Sequence, residues 1–367
     1  MSTPKRASIA FFISAHGFGH AARSCAVMNA ISARRPDVRF EIFTGTPRWF
    51  FEESVSAPFG YHREQTDIGV VQKNSIEEDL PGTLRALAGF LPFDRTAVER
   101  LARTLQELRV RLLLCDIAPL GICVAREAGI PVTLIENFTW DWIYEGYRDR
   151  EKRLGPAIRY LSEWFRTADY RVQVRPVCLP LDADCSAGPV SRAPRTAAPD
   201  VRARLGVSPG NTLVLITMGG IAEEYGFLDR LLAARDIVFA IPGASERIRR
   251  KANLVLLPHH SSFFHPDLVH AANAVIGKIG YSTLAETYHA GVPFGFVARP
   301  RFREANCLAN FARSAMPSLP IDPATFRAGT WMGRLRELLS CRTTAAKRPN
   351  GADEVAEFVV KVPALTG

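Results

Sequence analysis

Short runs of β-branched and aromatic apolar residues alternate with helical stretches along this chain, and the alternation runs its course twice. The first series predicts strands at Ser8–Ser14, Val38–Thr44, Arg111–Cys115, Val132–Ile135 and Arg171–Val174, with helices over 20–34, 80–109, 119–128 and 151–168. The second predicts strands at Thr212–Met218, Ile237–Ala240, Leu254–Leu257, Ala274–Gly277 and Phe294–Val297, with helices over 263–271, 281–290 and 303–315. A strand that reaches its neighbour through a helix pairs parallel to it, so each series specifies a parallel sheet wound on both faces. Between the series, 179–209 is rich in Pro, Ala, Gly and Arg and includes Gly188-Pro189 and Ala193-Pro194, which marks a connection. The expected organisation is a Rossmann-like domain over 1–180, a linker over 181–209, a second such domain over 210–345, and a tail over 346–367 returning to the first domain. A chain of 367 residues accommodates two domains of ordinary size.

With 47% hydrophobic and 23% charged residues, the chain has the mixture of a globular protein with a sizeable core. Its 46 Lys+Arg against 37 Asp+Glu give a net charge of +9, which favours anionic partners: sugar nucleotides, lipid head groups or nucleic acid. The basic residues are dispersed, and neither an aromatic-basic repeat nor a Cys/His finger spacing accompanies them, so nucleic acid is not the expected partner. Seven cysteines stand singly, the pattern of reduced thiols. The polar start Met1–Ser8 and the brief apolar run Ile9–Ser14 fit neither a signal peptide nor a membrane span. A cytoplasmic protein is expected, with peripheral membrane contact as an option.

Two turns carry the chemistry. His16-Gly17-Phe18-Gly19-His20-Ala21-Ala22-Arg23 joins the first strand to the first helix. Its glycines allow close backbone approach, and the helix N-terminus offers N–H groups and partial positive charge. Gly17-x-Gly19-x-x-Ala22 also fits a dinucleotide fingerprint, but that reading needs an acid at the end of the second strand, which here ends in Thr44-Gly45 with its acid, Glu41, in mid-strand. In the second series, Gly277-Lys278-Ile279-Gly280-Tyr281-Ser282-Thr283 places a glycine turn and two hydroxyls at a helix start, a cradle for a diphosphate. Glu286 follows one turn later on the same side, where a carboxylate can accept both ribose hydroxyls, and Met218-Gly219-Gly220 ends the series' first strand. Taken singly, each is as readily a tight connection or an N-capped helix. The form Asp182-Ala183-Asp184 lies in the linker, and His259, His260 and His265 lack a further ligand at a familiar metal spacing, so no metal site is expected.

Taken in order, GFGH, TMGG, GYSTLAE with AGVP, and Arg303-Glu304-Ala305-Asn306 with Asn310 resemble the GT-B glycosyltransferases, with UDP-glycosyltransferases and the peptidoglycan lipid-linked N-acetylglucosaminyltransferase as the nearest kinds. HGFGHAAR and Glu136-Asn137-Phe138-Thr139-Trp140-Asp141-Trp142-Ile143-Tyr144 are similar to the glycosyltransferase-like N-terminal part of L-arabinokinases, whose kinase part has no counterpart here. The resemblance implies two Rossmann-like domains facing a central cleft. It further implies an acceptor in the N-terminal half, a nucleotide-sugar donor in the C-terminal half, and inverting, metal-independent displacement of UDP.

Carried over residue by residue, the resemblance makes His20 the general base and Asp116 the carboxylate that orients it, with His16 the competitor for the base. It assigns Gly19, Gly219, Gly220, Gly280, Ser282 and Thr283 to the donor's phosphates, Glu286 to its ribose, and Glu304 with Asn306 to its sugar. Two departures stand out: Ala305 replaces the usual Gln, and Arg23 replaces a Pro usual shortly after the Gly-His pair. Arg299, Arg301 and Arg303 either help to hold a diphosphate or form a solvated surface. No cofactor is called for, a UDP-sugar being a substrate. The acceptor is expected to be lipid-linked or a hydrophobic small molecule, with Trp49-Phe50-Phe51, Trp140–Tyr147, Tyr160, Trp164 and Phe165 lining a cleft, forming a membrane patch or simply filling the core. A non-catalytic sugar-nucleotide binder, a sugar-nucleotide epimerase and an NAD-dependent oxidoreductase are the alternatives.

Overall fold

A computed structural model describes residues 8–220, 225–341 and 348–366. The polar N-terminus and the first two residues of the expected tail lie outside the described residues. The described chain divides into two compact units: the first runs to Val71 and includes Asp79–Ser191 and the residues from Pro349 onward, and the second comprises Gln72–Glu78 and the described part of Arg192–Arg348.

The first unit holds a seven-stranded parallel sheet: β1 (Ser8–Ile13), β2 (Arg39–Thr44), β3 (Phe59–Arg63), β4 (Val110–Asp116), β5 (Val132–Glu136), β6 (Tyr170–Val174) and β7 (Cys185–Ala187), in the order β3-β2-β1-β4-β5-β6-β7. Ile9 to Ile13 are wholly buried, as befits a strand covered on both faces. The chain winds from β1 toward β3 and then returns to lay β4 on the other side of β1. The carboxyl ends of β1 and β4 therefore diverge into a crevice, where parallel α/β sheets place their ligands.

The single helix predicted over 80–109 is two helices, Leu80–Phe90 and Arg95–Glu107. Pro92 supplies no N–H and disfavours helix at the preceding residue, and Asp94 starts the second helix by accepting from the Ala97 amide at 2.8 Å. β3 escaped prediction because Gly60 interrupts its apolar pattern; a Cβ there would collide with the buried Glu41 carboxylate. The helix Gly351–Val360 packs on the helix Gly19–Arg34, with Arg34 and Asp353 paired at 2.9 Å. Gly351 comes so close to the Gly188 carbonyl that a side chain there would clash.

The second unit repeats the plan with β8 (Thr212–Thr217), β9 (Ile237–Pro242), β10 (Arg249–Lys251), β11 (Leu254–Leu257), β12 (Ala274–Lys278), β13 (Phe294–Val297) and β14 (Ser318–Ile321), in the order β10-β11-β9-β8-β12-β13-β14. Only the short edge strand β10 runs antiparallel. Its switch point lies between β8 and β12. Val214, Ile216, Phe239, Ile241 and Ile276 centre the core, and Ile76 from Gln72–Glu78 joins it. β14 was missed because Pro320 argues against a strand, an objection that an edge position relaxes. Among the described residues no helix is long and apolar enough to cross a membrane.

Candidate active site

In the first unit the switch point is filled by charge. His20, Arg23 and Ser24 stand at i, i+3 and i+4 on the helix Gly19–Arg34, hence on one face. That face meets Asp116, the last residue of β4, which pairs in register with Ile13 of β1. Asp116 accepts from His20 Nδ1 at 2.9 Å, from Arg23 Nε at 2.8 Å and Nη2 at 2.5 Å, and from Ser24 Oγ at 3.1 Å. Arg23 is 1% exposed and also donates to Asn137 Oδ1 at 2.7 Å. Burial by itself would raise the Asp116 carboxyl, but the Arg23 guanidinium and His20 outweigh it and hold the group at about 2. Asp116 is therefore ionised at neutral pH. Since both the carboxylate and Arg23 fix the direction of the hydrogen bonds, the imidazole proton sits on Nδ1 and the neutral ring carries its lone pair on Nε2, as a general base requires. Ile117, next in the chain, holds φ at 46°, a left-handed conformation that costs a β-branched residue about 1–3 kcal/mol. The turn leaving β4 is strained at the site.

A second buried acid stands nearby. Asp67 accepts from Trp140 Nε1 at 2.6 Å, and burial pushes its carboxyl up against donors at Ser14 and Ala15 and the charge of His20. His16, the competing base, packs edge-on against Trp140 at 5.1 Å, and Gly69 (φ 63°) leaves the space that its ring occupies. Trp140, Tyr144, Tyr147 and Phe165 are core, so they neither line a cleft nor form a patch; Trp49, Trp142, Tyr160 and Trp164 keep partial exposure. Glu41 is tied to Arg39 at 2.7 Å and His62 at 2.9 Å, away from the end of β2, where a dinucleotide's ribose would need it.

In the second unit the same point is lined by glycine. Gly277 pairs with Thr217 so closely that a Cβ would overlap the Thr217 carbonyl oxygen, and Gly219 turns the chain at φ 77°. Lys278, the last residue of β12, lays its Cε and Nζ within 3.6 Å of where a Gly219 Cβ would stand. Gly280 caps the helix Tyr281–Ala290 through an extended backbone with no side-chain cap; Ser282 is half-buried and Thr283 buried in its first turn. A basic side chain, a glycine turn and a helix start thus occupy neighbouring strand ends. Lys278 is the residue that sequence reading passed over, although a base at a strand end just before a glycine turn is a legible signal.

Glu286 is not a bare carboxylate. It is 4% exposed, with Oε1 taken by Arg192 at 3.0 and 3.1 Å and Oε2 facing His265 Nδ1 at 2.7 Å. Glu304 is buried while Asn306 is exposed; two positions apart on the helix Arg303–Ala315, they point to different faces and the fold does not bring them together. Arg299 is buried with its guanidinium 3.4 Å from the centre of the Phe302 ring, Arg303 is half-buried, and Arg301 is exposed. Among the described residues no cluster of three or more His, Cys, Asp or Glu is arranged to hold a metal.

Two parallel-sheet units, each with its polar residues at the switch point, define the GT-B glycosyltransferase fold. The glycosyltransferase of kitacinnamycin matches 98% of this chain and 99% of its own at a TM-score of 0.62 and 16% identity. A UDP-glucosyltransferase from Polygonum tinctorium matches 98% and 99% at 0.63 and 14%, and MurG of Acinetobacter baumannii 97% and 99% at 0.53 and 17%. In sequence the chain is 25% identical, over 99% of its length, to an L-arabinokinase of Arabidopsis thaliana, of which it spans about a third (35%). No family model matches it.

Proposed function

We propose that the protein is a glycosyltransferase that moves a sugar from a nucleoside-diphosphate donor, UDP in the first instance, to an acceptor hydroxyl with inversion and without a metal. The observation that carries the reading is the pairing of His20 with a saturated, ionised Asp116, which leaves Nε2 as the base. His20 takes the acceptor's proton, the alkoxide attacks the anomeric carbon, and the nucleoside diphosphate departs. Lys278, the Gly219–Gly220 turn and the amides that follow Gly280 receive the leaving group's charge. Ser282 and Thr283 add hydroxyls at the phosphates, while Glu286 belongs to the ribose and Glu304 to the sugar. Asn306, exposed and turned away from Glu304, is the weakest member of that set.

The likeness to an L-arabinokinase puts a pentose into the substrate panel, so UDP-L-arabinose belongs beside UDP-glucose and UDP-N-acetylglucosamine. The acceptor is proposed as a lipid-linked or hydrophobic small molecule, at a peripheral membrane contact where it is lipid-linked. The test is UDP release from that panel with mixed acceptor alcohols. Turnover that requires an acceptor and vanishes in His20→Ala supports transfer. Turnover of the sugar nucleotide without an acceptor supports an epimerase instead, and a calorimetric signal from NAD alone would overturn the reading.

A further inference from the structure

Resting on the sugar-nucleotide reading, the geometry points to His265, and not Glu286, as the residue that contacts the ribose of the nucleotide, with Glu286 and Arg192 as its buried anchor. The three side chains form one chain of hydrogen bonds inside the second unit: Arg192 to Glu286 Oε1, and Glu286 Oε2 to His265 Nδ1. Their exposures divide the work. The side chains of Arg192 and Glu286 are 5% and 2% exposed, and that of His265 is 25% exposed. Arg192 also lies over the Phe264 ring at 4.9 Å, beside Arg195 at 3.7 Å, which fixes the guanidinium within the unit.

A ribose arriving here meets the imidazole before it meets the carboxylate. Glu286 accepts the proton on Nδ1, so the neutral ring holds its lone pair on Nε2, away from the buried oxygen. A ribose hydroxyl donates to that nitrogen. Glu286 is then a positioning residue: it sets the tautomer and ring angle, as a carboxylate does behind a histidine that binds a metal. Arg192 balances its charge, without which a carboxylate so deeply buried would be costly. His265 opens its own helix, His265–Ala271, and Glu286 lies within another, Tyr281–Ala290, so two elements are locked to each other by the contact.

The test compares UDP with its 2′-deoxy counterpart by calorimetry on the full chain. The unaltered protein prefers UDP by about tenfold, the worth of one hydrogen bond to an imidazole acceptor. His265→Asn keeps an amide where Nδ1 stood, preserving the partner of Glu286, but has nothing at Nε2; it binds both ligands at the level of the deoxy compound. His265→Gln, whose amide reaches the Nε2 position, restores part of the preference. A thermal melt of each variant establishes folding. Full preference for UDP in His265→Asn, with its loss in Glu286→Gln alone, overturns the assignment in favour of direct contact by the carboxylate. No UDP binding by the unaltered protein removes the sugar-nucleotide reading and this inference with it.

Discussion

The two units share a topology and differ in how they spend charge at the same topological point. At the end of β1 and β4, an acid, a guanidinium, a hydroxyl and an imidazole close on one another, and Asp116 receives four hydrogen bonds. At the end of β8 and β12, glycines at 219, 277 and 280 keep side-chain bulk away, and a lysine lies against the turn. The first arrangement is rigid and internally neutralised, suited to holding one imidazole in one tautomer. The second leaves backbone amides and a cation for an anion to use. A shared fold therefore decides where chemistry sits, and the side chains at that point decide which chemistry it is.

The difference predicts unequal responses to removing one cation from each site. Arg23→Met strands the Asp116 carboxylate in the core and should destabilise the first unit by about 3–5 kcal/mol, read as a lower urea midpoint. Lys278→Met should leave that midpoint almost unchanged and weaken UDP binding about tenfold or more, the worth of a charge-assisted hydrogen bond. Equal stability losses in both variants would break the contrast.

Next in size is the base itself: His20→Ala should lower kcat about 10²–10⁴-fold while UDP binding in calorimetry stays as it was. A smaller effect follows from acid. Asp116 titrates at about 2 in the fold against an ordinary 3.8, so its contribution, of order 2 kcal/mol, is complete above about pH 4 and is lost as pH falls from there toward about 2. Acid unfolding of the first unit, followed by circular dichroism, should accordingly move to higher pH in Arg23→Met, whose Asp116 has lost its main counter-charge. The smallest effect is expected at Gly219→Ala, where the left-handed turn costs an alanine about 1–2 kcal/mol and reshapes the phosphate loop.

Much of this was legible in the residues. The doubled alternation fixes two parallel sheets, and the glycine turns fall at strand ends because only there does backbone meet ligand. His20 could be singled out by its place after Gly19. Arg23 was visible only as an anomaly: helical spacing places it on the face of His20, but nothing local says that Asp116, 93 residues on, will meet it. The same holds for Glu286, whose partner Arg192 lies 94 residues away in the stretch read as linker. Long-range ion pairs leave no periodic trace. Nor do aromatic runs declare which side of a helix is core: Trp140 and Tyr144 stack on each other in the interior, with centroids 6.1 Å apart, although their composition equally fits a binding surface.

The most direct test is hydrogen exchange measured by mass spectrometry with and without UDP. Slowed exchange in peptides covering 217–220 and 278–284, with 14–24 unaffected, is the predicted result, since the nucleotide is assigned to the glycine-lined switch point and the histidine site to the acceptor. Slowed exchange confined to 14–24 would contradict the account and place the nucleotide on the first unit.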